Sequence, residues 1–276
     1  MSPYMKYIKI KKSDISTFYK QVLAYWKTHG RHHLPWRHTD NPYHILVSEM
    51  MLQQTQVDRV IPKYKAFLRI FPSVDALSKS NFRNVLTLWS GLGYNRRAKF
   101  LHESARIIAK EYQGVVPQEK ELLTKLPGIG EYTASAIRVF AFNEKEILIE
   151  TNIRTALIHH FFSSKRKVED TELVMVLERI LPEVMSAREW YSALMDYGTY
   201  IKQEYGNATQ KSSGYKKQSA FKGSLREVRG AVLRELQKET PKIKALPFTK
   251  DRVEKALSGL ERDAIVVSKN GRWEIA

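Results

Sequence analysis

Leu126-Pro127-Gly128-Ile129-Gly130 limits what this chain can fold into more than any other stretch. Two glycines, one residue apart, precede a helical pattern in Tyr132, Thr133, Ala136, Ile137 and Phe140. Glycine allows φ > 0 and lets another backbone approach closely, so the spacing predicts a helix, a tight turn and a second helix. The free N–H groups opening that second helix form an anion site. Such a site suits a DNA phosphate, because it needs no side chain and carries no sequence preference. Further on, Ile147-Leu148-Ile149 leads into Glu150-Thr151-Asn152, which puts a carboxylate at the mouth of the next helix. An ordinary αα-turn would read the same way, so the surroundings decide.

Those surroundings are strongly basic. The 276 residues carry a formal net charge of +17, which points to a polyanionic partner. No apolar run approaches the length of a membrane-spanning helix, so a membrane span is excluded, and no membrane partner is expected. The basic start, Met1 to Lys12, has neither an apolar core nor a cleavage site, and no secretory signal is expected. Cysteine is absent, which removes disulfides, thiolate metal sites, Fe–S clusters and cysteine nucleophiles. A bacterial or archaeal cytoplasm is the expected compartment.

Periodicity elsewhere is helical, so the main domain is expected to be all-α. Ser13-Asp14 reads as the cap of a helix carrying Ile15, Phe18, Val22 and Trp26, ended by His29-Gly30. His32 and His33 follow in a cationic loop with no further ligand at i+4, which favours solvated or phosphate-facing rings over metal ligands. Asn41-Pro42 opens the next helix, with Tyr43, Leu46, Val47 and Met50 on its buried face and Glu49 off that stripe. Leu52-Gln53-Gln54-Thr55-Gln56 then offers amides suited to base edges and a leucine able to wedge between bases, although a polar helix end has the same composition. Helices are also expected over Ile61–Phe71, Asn81–Trp89, Asp170–Leu181 and Glu189–Tyr200. Gly91-Leu92-Gly93-Tyr94 is a second glycine turn, backed by Arg96, Arg97 and Lys99. No strand precedes it, so it is no dinucleotide fingerprint, and an aromatic among cations fits nucleic acid instead. Residues 211–223 read as a linker between a main domain, 1–210, and a small unit, 224–276. In the small unit two helices precede a hairpin turning on Asn270-Gly271, a winged-helix-like order.

Four ordered motifs resemble the helix-hairpin-helix DNA glycosylase superfamily, and within it the MutY-type adenine glycosylases. They are Leu34-Pro35-Trp36, Val47 to Val57, Leu88 to Tyr94, and Leu126 to Ala134. The resemblance runs from about Asp14 to Tyr200 and implies an all-α, two-lobed domain with the active site between the lobes. It implies that Glu49 is the general acid that protonates the leaving base, and that Glu150 is the carboxylate that stabilises the sugar cation. Tyr132 and Asn152 match residues that hydrogen-bond around these carboxylates. Leu52, Gln53, Gln54, Gly91, Gly93 and Tyr94 match positions that enter the duplex. Gly128, Ile129, Gly130 and Thr133 match the hairpin that grips the backbone. Main-chain carbonyls of Thr124, Leu126 and Ile129 match a Na+ or K+ site, and no other cofactor is implied.

The chain also departs from that family. Glu150 stands where the family has aspartate, which moves the carboxylate on the order of 1 Å. The four-cysteine Fe–S loop is replaced by Lys202 and the polar stretch Asn207 to Lys217. Tyr132 occupies the place of the Schiff-base lysine of bifunctional relatives, so strand cleavage by that route is not expected. The C-terminal unit does not look like a Nudix-like domain, and Lys242, Lys244, Lys250, Arg252 and Lys269 in it are candidates for contact with flanking DNA. The expectation is a monomeric, monofunctional glycosylase of base excision repair, acting on double-stranded DNA with a mismatched or damaged base. The expected base is adenine opposite guanine or 8-oxoguanine. A thymine or uracil mismatch glycosylase and a non-catalytic mismatch-binding protein are the alternatives.

Overall fold

The computed structural model describes residues 10–181, 185–215, 217 and 220–276; the basic start before Ile10 and part of the expected linker, Lys216, Gln218 and Ser219, lie outside them. The named elements of the described chain are helices, apart from one hairpin near its C-terminus. In order the helices are α1 (Lys12–His29), α2 (Pro42–Leu52), α3 (Val57–Ile70), α4 (Val74–Ser78), α5 (Phe82–Trp89), α6 (Arg96–Glu111) and α7 (Lys120–Leu123). They continue with α8 (Glu131–Phe142), α9 (Thr151–Phe161), α10 (Asp170–Ile180), α11 (Ala187–Tyr205), α12 (Leu225–Leu236) and α13 (Lys250–Arg262). Strands β1 (Val266–Lys269) and β2 (Arg272–Ile275) close the sequence. Among the described residues no helix is long and apolar enough to cross a membrane.

The chain forms two compact units. The first takes its residues from the N-terminal segment as far as Asp40 and from Ala134–Lys217. Its core brings Phe18 and Val22 of α1 against Ala156 and Leu157 of α9, Leu173 and Val176 of α10, and Trp190 and Leu194 of α11. Aromatic rings dominate: Phe18 meets Trp190 edge-on at 6.4 Å, and Tyr19 stacks on Trp190 at 4.5 Å. Such pairs add to the burial of large apolar area. Helix α1 starts one residue before the expected Ser13 cap, with Lys11 as the capping residue. The reason is Asp14, whose carboxylate reaches back to the Lys11 N–H at 3.2 Å.

The second unit comprises Asn41–Thr133 and Gln218–Ala276. Asn41 caps α2, its side-chain oxygen accepting from the N–H groups of Tyr43 at 2.9 Å and His44 at 3.3 Å. Seven of the eleven residues of α2 are buried, so it is the central helix of this unit. The C-terminal residues join the same unit: Arg83 of α5 donates to the Leu236 carbonyl at the end of α12, at 3.0 Å. In the hairpin Val266 faces Ile275 and Lys269 faces Arg272, which leaves Asn270 and Gly271 as a two-residue turn. Both have positive φ, 49° and 74°, as a type I′ turn requires.

Candidate active site and nucleic-acid interface

In the first unit the acidic turn is built from its flanks inward. Residues 147–149 run without regular structure into Glu150 and are held from α11. The Tyr191 hydroxyl donates to the Glu146 carbonyl at 2.6 Å and accepts from the Leu148 N–H at 3.1 Å. The Glu146 carboxylate accepts from Ser135 at 2.6 Å and from Arg138, which fixes the loop on α8. Glu150 then caps α9: its Oε1 accepts from the N–H groups of Asn152 at 2.7 Å and Ile153 at 2.8 Å. The Asn152 side chain donates to Oε2 at 3.3 Å, and the Glu150 carbonyl takes the Arg154 N–H at 2.8 Å. The orphan donors at the mouth of α9 thus converge on one carboxylate. Burial pushes the Glu150 carboxyl up, against those N–H donors, Arg154 and Arg31, which favour its ionised form.

Arg31 belongs to a buried network behind this turn. Asp196 of α11 has a side chain only 1 % exposed and accepts from Arg31 Nε at 2.6 Å and Arg37 Nη1 at 2.7 Å. It also takes the backbone N–H of Arg31 at 2.7 Å. The loop that carries His32 and His33 is therefore anchored inward by two of its arginines. His32 in that loop places Nε2 3.0 Å from the Trp26 carbonyl. Among the described residues no group of three or more His, Cys, Asp or Glu side chains is placed to hold a metal ion.

In the second unit the C-terminus of α2 leads into the amide-rich loop. Its last four carbonyls would be orphans in an isolated helix. Here Glu49 O accepts from Gln53 N at 3.3 Å and Leu52 O from Thr55 N at 3.1 Å. Met50 O and Met51 O accept from Arg97 Nη1 at 2.8 and 2.9 Å. Arg97, one of the three cations behind the second glycine turn, is buried, and it reaches Gln53 O at 2.5 Å, Thr55 Oγ1 at 2.9 Å and Gly93 O at 3.0 Å as well. Burial lowers its pKa to about 10, so it stays charged at neutral pH. One guanidinium thus ties the loop after α2 to the second glycine turn.

Exposure rises along the loop itself. Leu52 and Gln53 are half-buried, Gln54 is exposed, and Gln53 donates to Thr133 Oγ1 at 3.2 Å. Gln54 and Tyr94 adopt φ of 55° and 47°, values that non-glycine residues rarely take. Both line a cavity of about 840 Å³, together with Gln53, Gly91, Gly93 and Gly128. In the hairpin Gly128 has φ 74°, and a Cβ there would meet Phe100 at 2.6 Å, so both reasons for glycine apply. Gly130 has neither a positive φ nor a neighbour within 4 Å of a Cβ, which leaves its backbone open to an incoming group. Ile129 and Thr133 are buried, so the hairpin presents backbone rather than those side chains. Glu49 is half-buried on the last turn of α2, and Tyr132, 36 % exposed, sits on the first turn of α8. Glu49 and Tyr132 belong to the second unit, Glu150 and Asn152 to the first.

Several residues that hold these parts were not picked out by sequence: Arg31, Arg37, Asp196 and Gly198 in the first unit, and Arg97 as an inward anchor in the second. Gly198 carried one visible signal, a glycine inside a long helical pattern. A Cβ on it would lie 1.9 Å from the Asn152 carbonyl oxygen. For Arg97 the signal was its place on the stripe with Leu101, Ala105 and Ile108, all buried on α6.

Comparison with known proteins agrees with this architecture. The chain is 39 % identical over 185 residues to an adenine DNA glycosylase of Buchnera aphidicola subsp. Baizongia pistaciae, covering 67 % of this chain and 52 % of that protein. It is 40 % identical over 183 residues to an adenine DNA glycosylase of Mycolicibacterium smegmatis, covering 65 % of this chain and 61 % of that one. The chain thus spans between half and two thirds of the length of these curated relatives. Among solved structures, a thermostable thymine-DNA glycosylase superposes with a TM-score of 0.64 at 27 % identity, covering 72 % of this chain and 92 % of that one. An endonuclease III–DNA covalent intermediate shares the fold at a TM-score of 0.53 and 19 % identity. Residues 47–180, which hold the second half of α2, the amide-rich loop, both glycine turns and the acidic turn, match the model of the HhH-GPD superfamily of base excision DNA repair proteins.

Proposed function

We propose that the protein is a monofunctional DNA glycosylase that hydrolyses the N-glycosidic bond of a mispaired adenine in double-stranded DNA. The observation that carries this reading is the Glu150 carboxylate held at the N-terminus of α9 by two backbone N–H groups and by Asn152. An anion so fixed suits the stabilisation of a sugar cation, as in glycoside hydrolysis. Glu49 lies at the other kind of helix end, where carbonyl oxygens gather, a setting suited to a proton carrier. In this reading Glu49 protonates the leaving base and Tyr132 and Asn152 orient the carboxylates. Tyr132 offers no amine, so no Schiff base and no strand cleavage by that route arise.

The net charge of +17 and the open backbone at Gly130 support binding to the DNA backbone. Leu52, Gln53, Gln54 and Tyr94 enter the duplex and hold the flipped base outside the stack, against an unstacking cost of a few kcal/mol. The carbonyls of Thr124, Leu126 and Ile129 fit a monovalent cation in chemistry, being oxygen donors in one turn; Leu126 O already accepts from Ile129 N at 3.2 Å and keeps a second lone pair. Such a cation would brace the hairpin beside a phosphate. We read residues 224–276 as a winged-helix-like module, the protein as a monomer that needs no other cofactor, and its place as the nucleoid of a prokaryotic cell. Lys242, Lys244, Lys250, Arg252 and Lys269 of the module would touch flanking DNA.

Base release under single turnover tests this directly, with adenine opposite 8-oxoguanine and opposite guanine. The wild type should release adenine, Glu49→Gln should be slower by at least about 10²-fold, and Glu150→Asp should also slow, because the carboxylate retreats by on the order of 1 Å. A second reading, thymine or uracil opposite guanine, is favoured by the likeness to a structure described as a thymine-DNA glycosylase. Release from those duplexes alone would put it first. Tight mismatch binding with no release from any duplex would overturn both and leave a binding protein.

A further inference from the structure

Helix α6 touches the hairpin of the second unit at two consecutive residues of its tip. Phe100 lies under Gly128, where a Cβ would meet its ring at 2.6 Å. One turn further along α6, the Ser104 hydroxyl donates to the Pro127 carbonyl at 3.1 Å. Residues four apart share a helix face, so one side of α6 supplies both contacts. Ser104 is fully buried in the middle of that helix. A serine so placed lowers helix propensity relative to alanine and ordinarily returns its hydroxyl to the carbonyl one turn back. Here the hydroxyl leaves its own helix for the hairpin, a bond that does nothing for α6 itself.

The bond falls on the peptide that decides which way the hairpin faces. Ile129 N–H donates to the Leu126 carbonyl at 3.2 Å, and Gly128, the third residue of that turn, has φ of 74°. With proline, whose φ is negative, at the second place, this is a type II turn. Types I and II differ in the orientation of their central peptide, here the one joining Pro127 to Gly128. A trans peptide directs its C=O and its N–H to opposite sides. With the Pro127 carbonyl drawn towards α6, the Gly128 N–H faces away from that helix, and it makes no backbone hydrogen bond among the described residues. We propose that Ser104 is a positioning residue for phosphate binding, its hydroxyl holding the turn in the type II form and so keeping the Gly128 N–H aimed at the DNA backbone. The assignment rests on the DNA-binding reading above and adds the side chain that presets the donor. In the type I form the peptide would be reversed, and an approaching phosphate would meet the Pro127 carbonyl oxygen instead of an N–H.

Amide hydrogen exchange of the full chain, read residue by residue with and without a saturating fully paired duplex, tests this without any base release. In wild type the duplex should slow exchange at both Gly128 and Gly130. In Ser104→Ala the protection of Gly128 should fall by at least about tenfold, as for the loss of one hydrogen bond to a charged group, while Gly130 stays protected. Affinity for the duplex should drop by about tenfold with its salt dependence unchanged, because a backbone donor releases no counterion. Ser104→Cys, close in size and with a weak donor, should fall between the two proteins. Equal protection of Gly128 in wild type and Ser104→Ala, or none in wild type, would overturn the proposal. So would joint loss at Gly128 and Gly130, which would mark a hairpin loosened as a whole, or a cysteine variant worse than the alanine one, which would mark packing rather than the bond. If Gly128 responds as expected yet no mismatched duplex releases a base, the excision reading fails while the role of Ser104 stands.

Discussion

Gly198 of α11 faces Asn152 so closely that a Cβ built on it would lie 1.9 Å from the Asn152 carbonyl oxygen and 2.5 Å from its carbonyl carbon. The first turn of α9, which carries the Glu150 cap, therefore rests on the bare backbone of α11. Backbone cannot yield as a flexible side chain can, so Gly198→Ala must push the two helices apart. The expected cost is about 3 kcal/mol or more, read as a lower urea midpoint. Base release should fall further than DNA affinity, because the displaced turn carries the carboxylate. An unchanged midpoint would show that the helices separate freely and that the close approach is incidental.

Arg97 is the second such constraint, and it acts through hydrogen bonds. Its guanidinium serves carbonyls of Met50, Met51, Gln53 and Gly93 with geometry that a lysine ammonium cannot copy. Arg97→Lys keeps the charge but leaves several buried carbonyls unpaired. The expected loss is about 2–3 kcal/mol, with mismatch binding weakened more than binding to intact duplex, since the loop 53–55 loses its anchor. Parallel loss on both DNAs would place the effect on the fold alone.

Glu150 carries opposed demands. Burial raises its pKa above the ordinary carboxylate value, so the ionised form costs stability near neutral pH, and that cost is absent below the unfolded-state pKa. Glu150→Gln removes the charge and keeps an oxygen to accept from Asn152 N and Ile153 N. Its Tm at pH 7 should be at least equal to that of wild type, and higher by about 2–4 °C if burial costs ~1 kcal/mol. Base release should nevertheless drop by at least about 10²-fold. A lower Tm would mean that the anionic cap outweighs the desolvation.

How far these parts could be read in the sequence follows from the range of the forces involved. The Asn41 cap, the Gly128 turn and the Asn270-Gly271 hairpin are local, and each has the residue its backbone demands. Helical stripes gave the elements, with ends shifted by a few residues, as at Lys12 and Ala187. The acidic turn was legible through its resemblance to a family. What sequence left hidden is tertiary. Arg97 next to Arg96 looks like one more surface cation, and only the buried face of α6 turns it inward. Asp196 lies 165 residues from Arg31, so their pairing has no local trace. Gly198 needs no φ > 0; it is small because α9 lies against it.

His160, near the other end of α9, is expected to contribute to the acid sensitivity of the protein. Its ring packs on Phe18 at 5.0 Å and lies 2.8 Å, nitrogen to oxygen, from the Tyr197 hydroxyl. Burial, helped by neighbouring His159, lowers its pKa to about 4. In the unfolded chain it titrates near ~6.5, so between those values the unfolded state binds the extra proton. Stability from the neutral ring is then complete above the unfolded value and is lost as pH falls towards the folded one. Because the ring is only half-buried, solvent screening reduces the contribution to about 1–2 kcal/mol. His160→Gln, which can still bond Tyr197, should flatten the fall in urea midpoint between pH 6.5 and pH 4 relative to wild type. An equally steep fall in the variant would shift the acid sensitivity to other buried groups, such as His102, whose pKa burial also lowers.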